Sequence, residues 1–137
     1  MPGYSGTPLA KKLGIKDGFR VALLHVPNGV KTELRNALVK CRRETVASKE
    51  LDFIFVFAKS RPVLSVELFA ATKALAPAGM LWISWPKRSS GVPTDLDENV
   101  IREIGLRAGL VDIKVCAVTE VWSGLKFVIP VARRKKA

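Results

Sequence analysis

Four cations stand in two pairs directly behind two strongly apolar runs of the chain. Lys59 and Arg61 follow Leu51–Ala58, and Lys87 and Arg88 follow Met80–Trp85. Guanidinium and ammonium groups bind phosphate or carboxylate, so their chemistry is recognition of an anion. A bond-breaking site would also need a base, and the chain has a single histidine, His25. Any Ser/His/Asp or Cys/His arrangement must therefore use it. His25 lies inside the first apolar run, where a hydrogen-bonded core imidazole is expected, although its place near the carboxyl end leaves a working role open. Asp95, Asp97 and Glu98 also cluster. They precede an amphipathic stretch, so an acidic helix start explains them better than a metal site. Cys41 and Cys116 match no metal-ligand spacing, and no metal is expected. Each lies in an apolar pattern and is expected to be a buried free thiol.

These residues sit in a chain of 137 residues, 48% hydrophobic and 26% charged, the composition of one globular domain over 1–132 followed by a basic tail, 133–137. Formal net charge is +11. Without Arg133, Arg134, Lys135 and Lys136 the body still carries 19 basic against 12 acidic residues. The excess belongs to the folded surface as well as the tail and favours anionic partners. The start, MPGYSGTPLAKK, has no apolar core of a signal peptide. The longest charge-free run, Ala74–Pro86, is interrupted by Pro77 and Gly79 and falls short of the roughly 20 residues of a spanning helix. Free thiols and no targeting segment predict a cytoplasmic protein with no membrane contact.

The elements that must position the cations follow from periodicity. Thr7-Pro8 reads as a cap with proline in the first helical position, and Gly14 as the stop of a short basic helix. Arg20–Val26 is nearly continuous apolar sequence, the pattern of a strand covered on both faces. It ends at Pro27-Asn28-Gly29. Leu34, Ala37, Leu38 and Cys41 mark one face of a helix over 32–41. A weak strand is expected near 44–46, then a strong one over Leu51–Ala58. Ser60 caps a helix with Leu64, Leu68, Ala71 and Leu75 inward, ended by Pro77-Ala78-Gly79. After the strand Met80–Trp85, Thr94 and Asp97 have capping-box spacing, and the helix they open carries Ile101, Ile104 and Ala108 inward to Gly109. Two alternating runs, Val111–Ala117 and Leu125–Val131, joined through 119–124, read as an antiparallel hairpin. Repeated βα units demand a mostly parallel sheet with helices on both faces, a three-layer α/β architecture.

In such a sheet ligands sit at the carboxyl ends of the strands, near the point where strand order reverses. Three strand ends then meet on one edge: Asn28-Gly29, Lys59-Ser60-Arg61, and Trp85 through Lys87-Arg88-Ser89-Ser90-Gly91. The helix beginning near Arg61 adds N–H donors. Trp122, expected in the hairpin link, can wall the same pocket. The site is predicted to take a nucleotide, a phosphate or an acidic metabolite.

The element order resembles the class I S-adenosylmethionine-dependent methyltransferase fold. Gly18-Phe19-Arg20-Val21 looks like that family's lead-in to its first strand, Leu51-Asp52-Phe53-Ile54 like its fourth, and Leu75-Ala76-Pro77-Ala78-Gly79-Met80-Leu81 like the approach to its fifth. The resemblance implies a Rossmann-like sheet of about six strands in the order 2-1-4-5-7-6, with the third strand missing. A closer likeness is to a small uncharacterised bacterial family of this fold, a domain of unknown function. It rests on GYSGTPL at 3–9 with KLGI at 12–15, WISWPK at 82–87, GVPTDL at 91–96, VCAV at 115–118 and WSGLK at 122–126.

The methyltransferase pattern itself is broken where it carries chemistry. It calls for an acid and several glycines in the turn after strand one; His25-Val26-Pro27-Asn28-Gly29 has one glycine and no acid. It calls for an acid closing strand two; Glu44 is expected where that strand begins. The catalytic motif after strand four is replaced by Ala58-Lys59-Ser60-Arg61. An intact S-adenosylmethionine site is therefore not expected, and the favoured reading is a non-catalytic binder of an anionic ligand. Two alternatives stand beside it, a nucleic-acid-binding module, with Tyr4 and Trp122 as stacking residues, and a protein-interaction module. A methyltransferase with a divergent cofactor site comes last.

Overall fold

The computed structural model describes residues 7–134. Tyr4 and the end of the tail lie outside the described residues. The elements run α1 (Leu9–Leu13), β1 (Arg20–Leu24), α2 (Asn28–Leu38), β2 (Arg42–Glu44), β3 (Leu51–Phe57), α3 (Arg61–Ala74), β4 (Leu75–Pro86), α4 (Glu98–Arg107), β5 (Val111–Ala117) and β6 (Trp122–Val128). One six-stranded sheet has the order β2-β1-β3-β4-β6-β5. The first four strands are parallel, and β6 is antiparallel to both β4 and β5. Renumbered without the missing third strand, this is the predicted order. β1 leads outward to β2 and β3 leads the other way to β4, so strand order reverses between β1 and β3.

The sheet has a core on each face because its central strands alternate large apolar residues to both sides. Phe53, Phe55, Phe57 and Trp82 pack with Leu13, Leu34 and Leu38 of α1 and α2. Ile54, Val56, Leu81 and Ile83 pack on the other face with Leu64, Leu68 and Ile101 of α3 and α4. β5, at the edge, runs beyond this cover and leaves Ile113 and Val115 exposed. Asp52, at the start of β3, accepts the Arg20 N–H at 2.8 Å, as a structural carboxylate should.

Several boundaries differ from the sequence reading, each for a local reason. Pro8, not Thr7, caps α1, with no side-chain hydrogen bond. α2 begins at Asn28, four residues early, because Pro27 supplies an extended cap and Val30 and Lys31 donate to its carbonyl at 3.1 and 3.0 Å. β2 spans Arg42–Glu44, so Glu44 closes that strand rather than opening it. α3 stops at Ala74 and β4 starts at Leu75, with Pro77 and Gly79 inside an irregularity of the β3–β4 pairing. Asp97 alone caps α4, accepting from the Val100 N–H at 2.9 Å. Gly105 rather than Ala108 faces inward on α4. Trp122 begins β6 instead of lying in the link. The two cysteines are free and half-buried, not fully buried.

Glu44 is held by three donors. Arg20 Nε reaches it at 2.6 Å, Arg20 Nη2 at 3.2 Å and Ser48 Oγ at 2.7 Å. The Arg20 bond, then the Ser48 bond, depress its carboxyl from 4.5 to about 2. A carboxylate with a depressed native pKa stabilises the fold above its unfolded value, and that contribution is lost as pH falls through the native one. Glu44→Gln should therefore lower the urea midpoint at pH 6. The gap to the wild-type chain should shrink below about pH 4.5 and close near pH 2; a gap constant across that window contradicts the pairing.

Candidate functional site

The carboxyl edge of the sheet is built from the turns after β1, β3 and β4. After β1 the chain reverses direction sharply. His25 takes φ 60°, a left-handed backbone unusual for a residue with a side chain. Its imidazole is exposed instead of lying inside the strand, and Nε2 sits 3.2 Å from a carboxylate oxygen of Glu67 on α3. The turn delivers Asn28 and Gly29, both exposed, as the first residues of α2. That helix end has no side-chain cap and no acid in its first turn. A β-carbon placed on Gly29 would meet nothing within 4 Å. The backbone there is open to solvent and carries the positive end of an 11-residue helix.

The end of α3 is different. Ser60 Oγ accepts from the Val63 N–H at 3.4 Å, and Asp95 Oδ1 accepts from the Arg61 N–H at 2.9 Å. Thr94 Oγ1 donates to the Lys59 carbonyl at 2.7 Å. The loop before α4 thus straps across the start of α3 and places a carboxylate of the chain itself on its first N–H. The expectation that α3 offers free donors is corrected: α2 is the helix whose end is unoccupied by a side chain.

The cations stand at the ends of neighbouring strands. Lys59, Arg61 and Arg88 are exposed and Lys87 is half-buried. None of the four takes part in an ion pair among the described residues. Lys87 is fixed through its backbone, which donates to the Val121 carbonyl at 2.7 Å. Arg88, Ser89 and Ser90 form a single tight turn closed by Gly91 at φ 75°. Ser90 Oγ spans it, donating to the Lys87 carbonyl at 2.6 Å and accepting from the Val92 N–H at 3.2 Å. A cavity of about 470 Å³ lies beside this turn, lined by Trp85, Arg88, Gly91, Asp95 and Asp97 among others.

The predicted residues do not form one cluster. Trp85 is 5% exposed and belongs to the core on the α3–α4 face. Trp122 pairs with Pro86 and packs on the opposite face, its ring 4.8 Å from that of Phe57. Trp85, Arg88 and Gly91 therefore border the cavity on one face, while Asn28, Gly29 and Trp122 lie toward the other. Lys59, Ser60 and Arg61 stand at the reversal point between them. Sequence reasoning missed Asp95 as the partner of Arg61, 34 positions away. It also missed Glu67 opposite His25, a pairing between distant parts of the chain that no local pattern announces. Among the described residues no three His, Cys, Asp or Glu side chains are grouped to hold a metal. No helix there is long and apolar enough to cross a membrane.

Residues 10–131 match one family throughout, described as a protein of unknown function, DUF3052. The chain belongs to that family. No curated protein matches the chain in sequence. Solved structures resemble it in fold. A SAM-dependent methyltransferase from Aquifex aeolicus superposes with TM-score 0.64 at 18% identity, covering 88% of each chain. A TehB-like SAM-dependent methyltransferase from Corynebacterium glutamicum gives 0.57 at 10%, over 93% of this chain and 90% of that one. Aeropyrum pernix fibrillarin with natively bound S-adenosyl-L-methionine gives 0.58 at 14%, over 88% and 73%. At these identities the likeness shows a methyltransferase-like fold and nothing about activity.

Proposed function

We propose that this DUF3052 chain binds an anionic ligand, a nucleotide or another phosphate- or carboxylate-bearing metabolite, at the carboxyl edge of its sheet, and performs no chemistry on it. The observation that carries the reading is the open start of α2 at the β1–β3 reversal point. Asn28 and Gly29 offer backbone there without a capping side chain, and Lys59 and Arg61 end the adjacent strand. Helix N–H groups, a positive dipole end and unpaired cations together favour a phosphate. Lys87 and Arg88 extend the positive edge by one strand. Binding rather than chemistry is favoured by the turn His25–Gly29, which carries one glycine and no acid where the methyltransferase pattern calls for several glycines and an acid.

A thermal-shift panel tests this. Nucleotides or polyphosphate at a hundredfold excess over Kd should stabilise the fold by about 2.7 kcal/mol, several degrees in Tm. Lys87→Ala/Arg88→Ala and Lys59→Ala should remove most of that shift. No shift with any anion, or a shift untouched by both variants, overturns the proposal.

A second reading rests on Glu44, which closes β2. A carboxylate at that place is what the resemblance to methyltransferases requires for ribose hydroxyls, and the neighbouring structures are described as SAM-dependent. A Tm rise with S-adenosylmethionine that disappears in Glu44→Gln would favour this reading over the first.

A further inference from the structure

The opposite edge of the sheet holds a second basic feature that the carboxyl-edge site does not use. The ends of α3 and α4, the start of β4 and the last described residues enclose a cleft of about 550 Å³. Lys49, Lys73, Arg133 and Arg134 line it against one carboxylate, Glu50. Among the described residues none of these four cations forms an ion pair.

The two arginines are pinned in place. A short helical turn over Val131–Arg133 folds the chain back after β6. Arg133 Nη1 donates to the Gly109 carbonyl at 3.0 Å, and Arg134 Nε donates to the Ile129 carbonyl at 3.0 Å. Position 109 suits this contact. It has φ 88°, and a β-carbon there would run into the Arg133 guanidinium. Each guanidinium spends one donor on the backbone and has four others. Helix carbonyl ends attract cations, which explains one bond from Arg133. It does not explain Lys49, which lies on the loop before β3, nor four cations against one acid.

We infer that this cleft binds the phosphate backbone of a nucleic acid. Pinned, planar guanidiniums suit phosphate oxygens, and their fixed positions reduce the ordering entropy lost on binding. Four cations outnumber what one phosphate would engage. A net charge of +11 raises the local concentration of a polyanion at long range. Contacts of this type carry no base specificity.

Fluorescence anisotropy with a mixed-sequence single strand of about 20 nucleotides tests the inference, titrated between low and moderate salt. Binding should weaken steeply with salt, with a log–log slope near −0.7 per phosphate contacted. Lys49→Ala/Lys73→Ala, both exposed positions, should weaken binding roughly tenfold and make the slope shallower by about one. Lys87→Ala/Arg88→Ala should leave it unchanged, which separates this site from the carboxyl-edge proposal. Absence of binding at low salt overturns the inference. So does binding unaffected by the Lys49/Lys73 variant, or equal binding of a polyglutamate peptide, which would assign the cleft to an acidic protein.

Discussion

Trp82→Ala is expected to lower stability by about 4 kcal/mol, enough to bring a domain of this size close to unfolding. Trp82 is the largest fully buried side chain and lies at the centre of the core shared by α1, α2 and β3. Its loss removes apolar burial and leaves a cavity that the surrounding phenylalanines can close only in part. Its indole N–H also donates to the Leu13 carbonyl at 2.9 Å. That bond ties α1 to the sheet, and α1 has five residues, too few to hold helical structure alone. Trp82→Phe separates the two roles. It keeps most of the volume but strands a buried carbonyl, and should cost about 2 kcal/mol. Urea unfolding gives the totals. Amide exchange gives the distribution: in Trp82→Phe, residues 9–15 should lose protection ahead of the strands. A cost below about 1.5 kcal/mol for Trp82→Ala would mean that the core collapses around the gap.

The strands were legible because covered parallel strands are apolar on both faces, and Arg20–Leu24, Leu51–Phe57 and the second half of β4 are written that way. The boundaries that moved share one cause. Pro27-Asn28-Gly29 and Pro77-Ala78-Gly79 are turn-forming strings by composition. In context Pro27 begins a helix and Pro77 sits within an irregular strand pairing, because tertiary hydrogen bonds decide what such residues do. The same limit applies to the edge. The cations can be read directly from the chain, but whether a helix end is free depends on a partner elsewhere. Asp95 reaches Arg61 across 34 positions, and no local pattern announces it.

The turn after β1 separates this chain's chemistry from its fold. A glycine-rich turn would let a cofactor approach the backbone. Here a left-handed residue carries an imidazole, and the imidazole is paired with Glu67. A strained backbone at a ligand edge persists only where its surroundings hold it, and the pairing across to α3 is such a restraint. The opening that remains lies one step along the chain, at Asn28 and Gly29. This is why the proposed ligand is an anion resting on α2 rather than a nucleoside seated in the β1 turn.

Gly105 explains how the α4 side of that edge is held. It lies on the buried face of α4, where glycine costs about 1 kcal/mol relative to alanine in helix propensity. The position tolerates nothing larger because the Phe127 ring of β6 packs directly on its α-carbon. A β-carbon would overlap the ring at Cε1 and Cζ and come within 2.8 Å of Cδ1. Phe127 is fully buried and has no room to turn aside. Gly105→Ala should therefore lose more from overpacking than it gains in propensity, a net destabilisation of about 2 kcal/mol, and Gly105→Val about twice that. Phe127→Leu should partly rescue Gly105→Ala, so that the double variant is more stable than the sum of the single effects. Full additivity, or a Gly105→Ala chain as stable as the wild type, would show that α4 shifts freely. Such a shift would carry consequences for ligand binding. Asp97 caps α4, and Asp95, two residues earlier, accepts from the Arg61 N–H at the start of α3, so α4 cannot lift from β6 without loosening the strap across Lys59 and Arg61. Gly105→Ala should thus weaken anion binding at the carboxyl edge and also disturb the cleft at Arg133, because the Ala108 and Leu110 N–H groups that donate to the Gly105 carbonyl flank Gly109, the residue that holds Arg133.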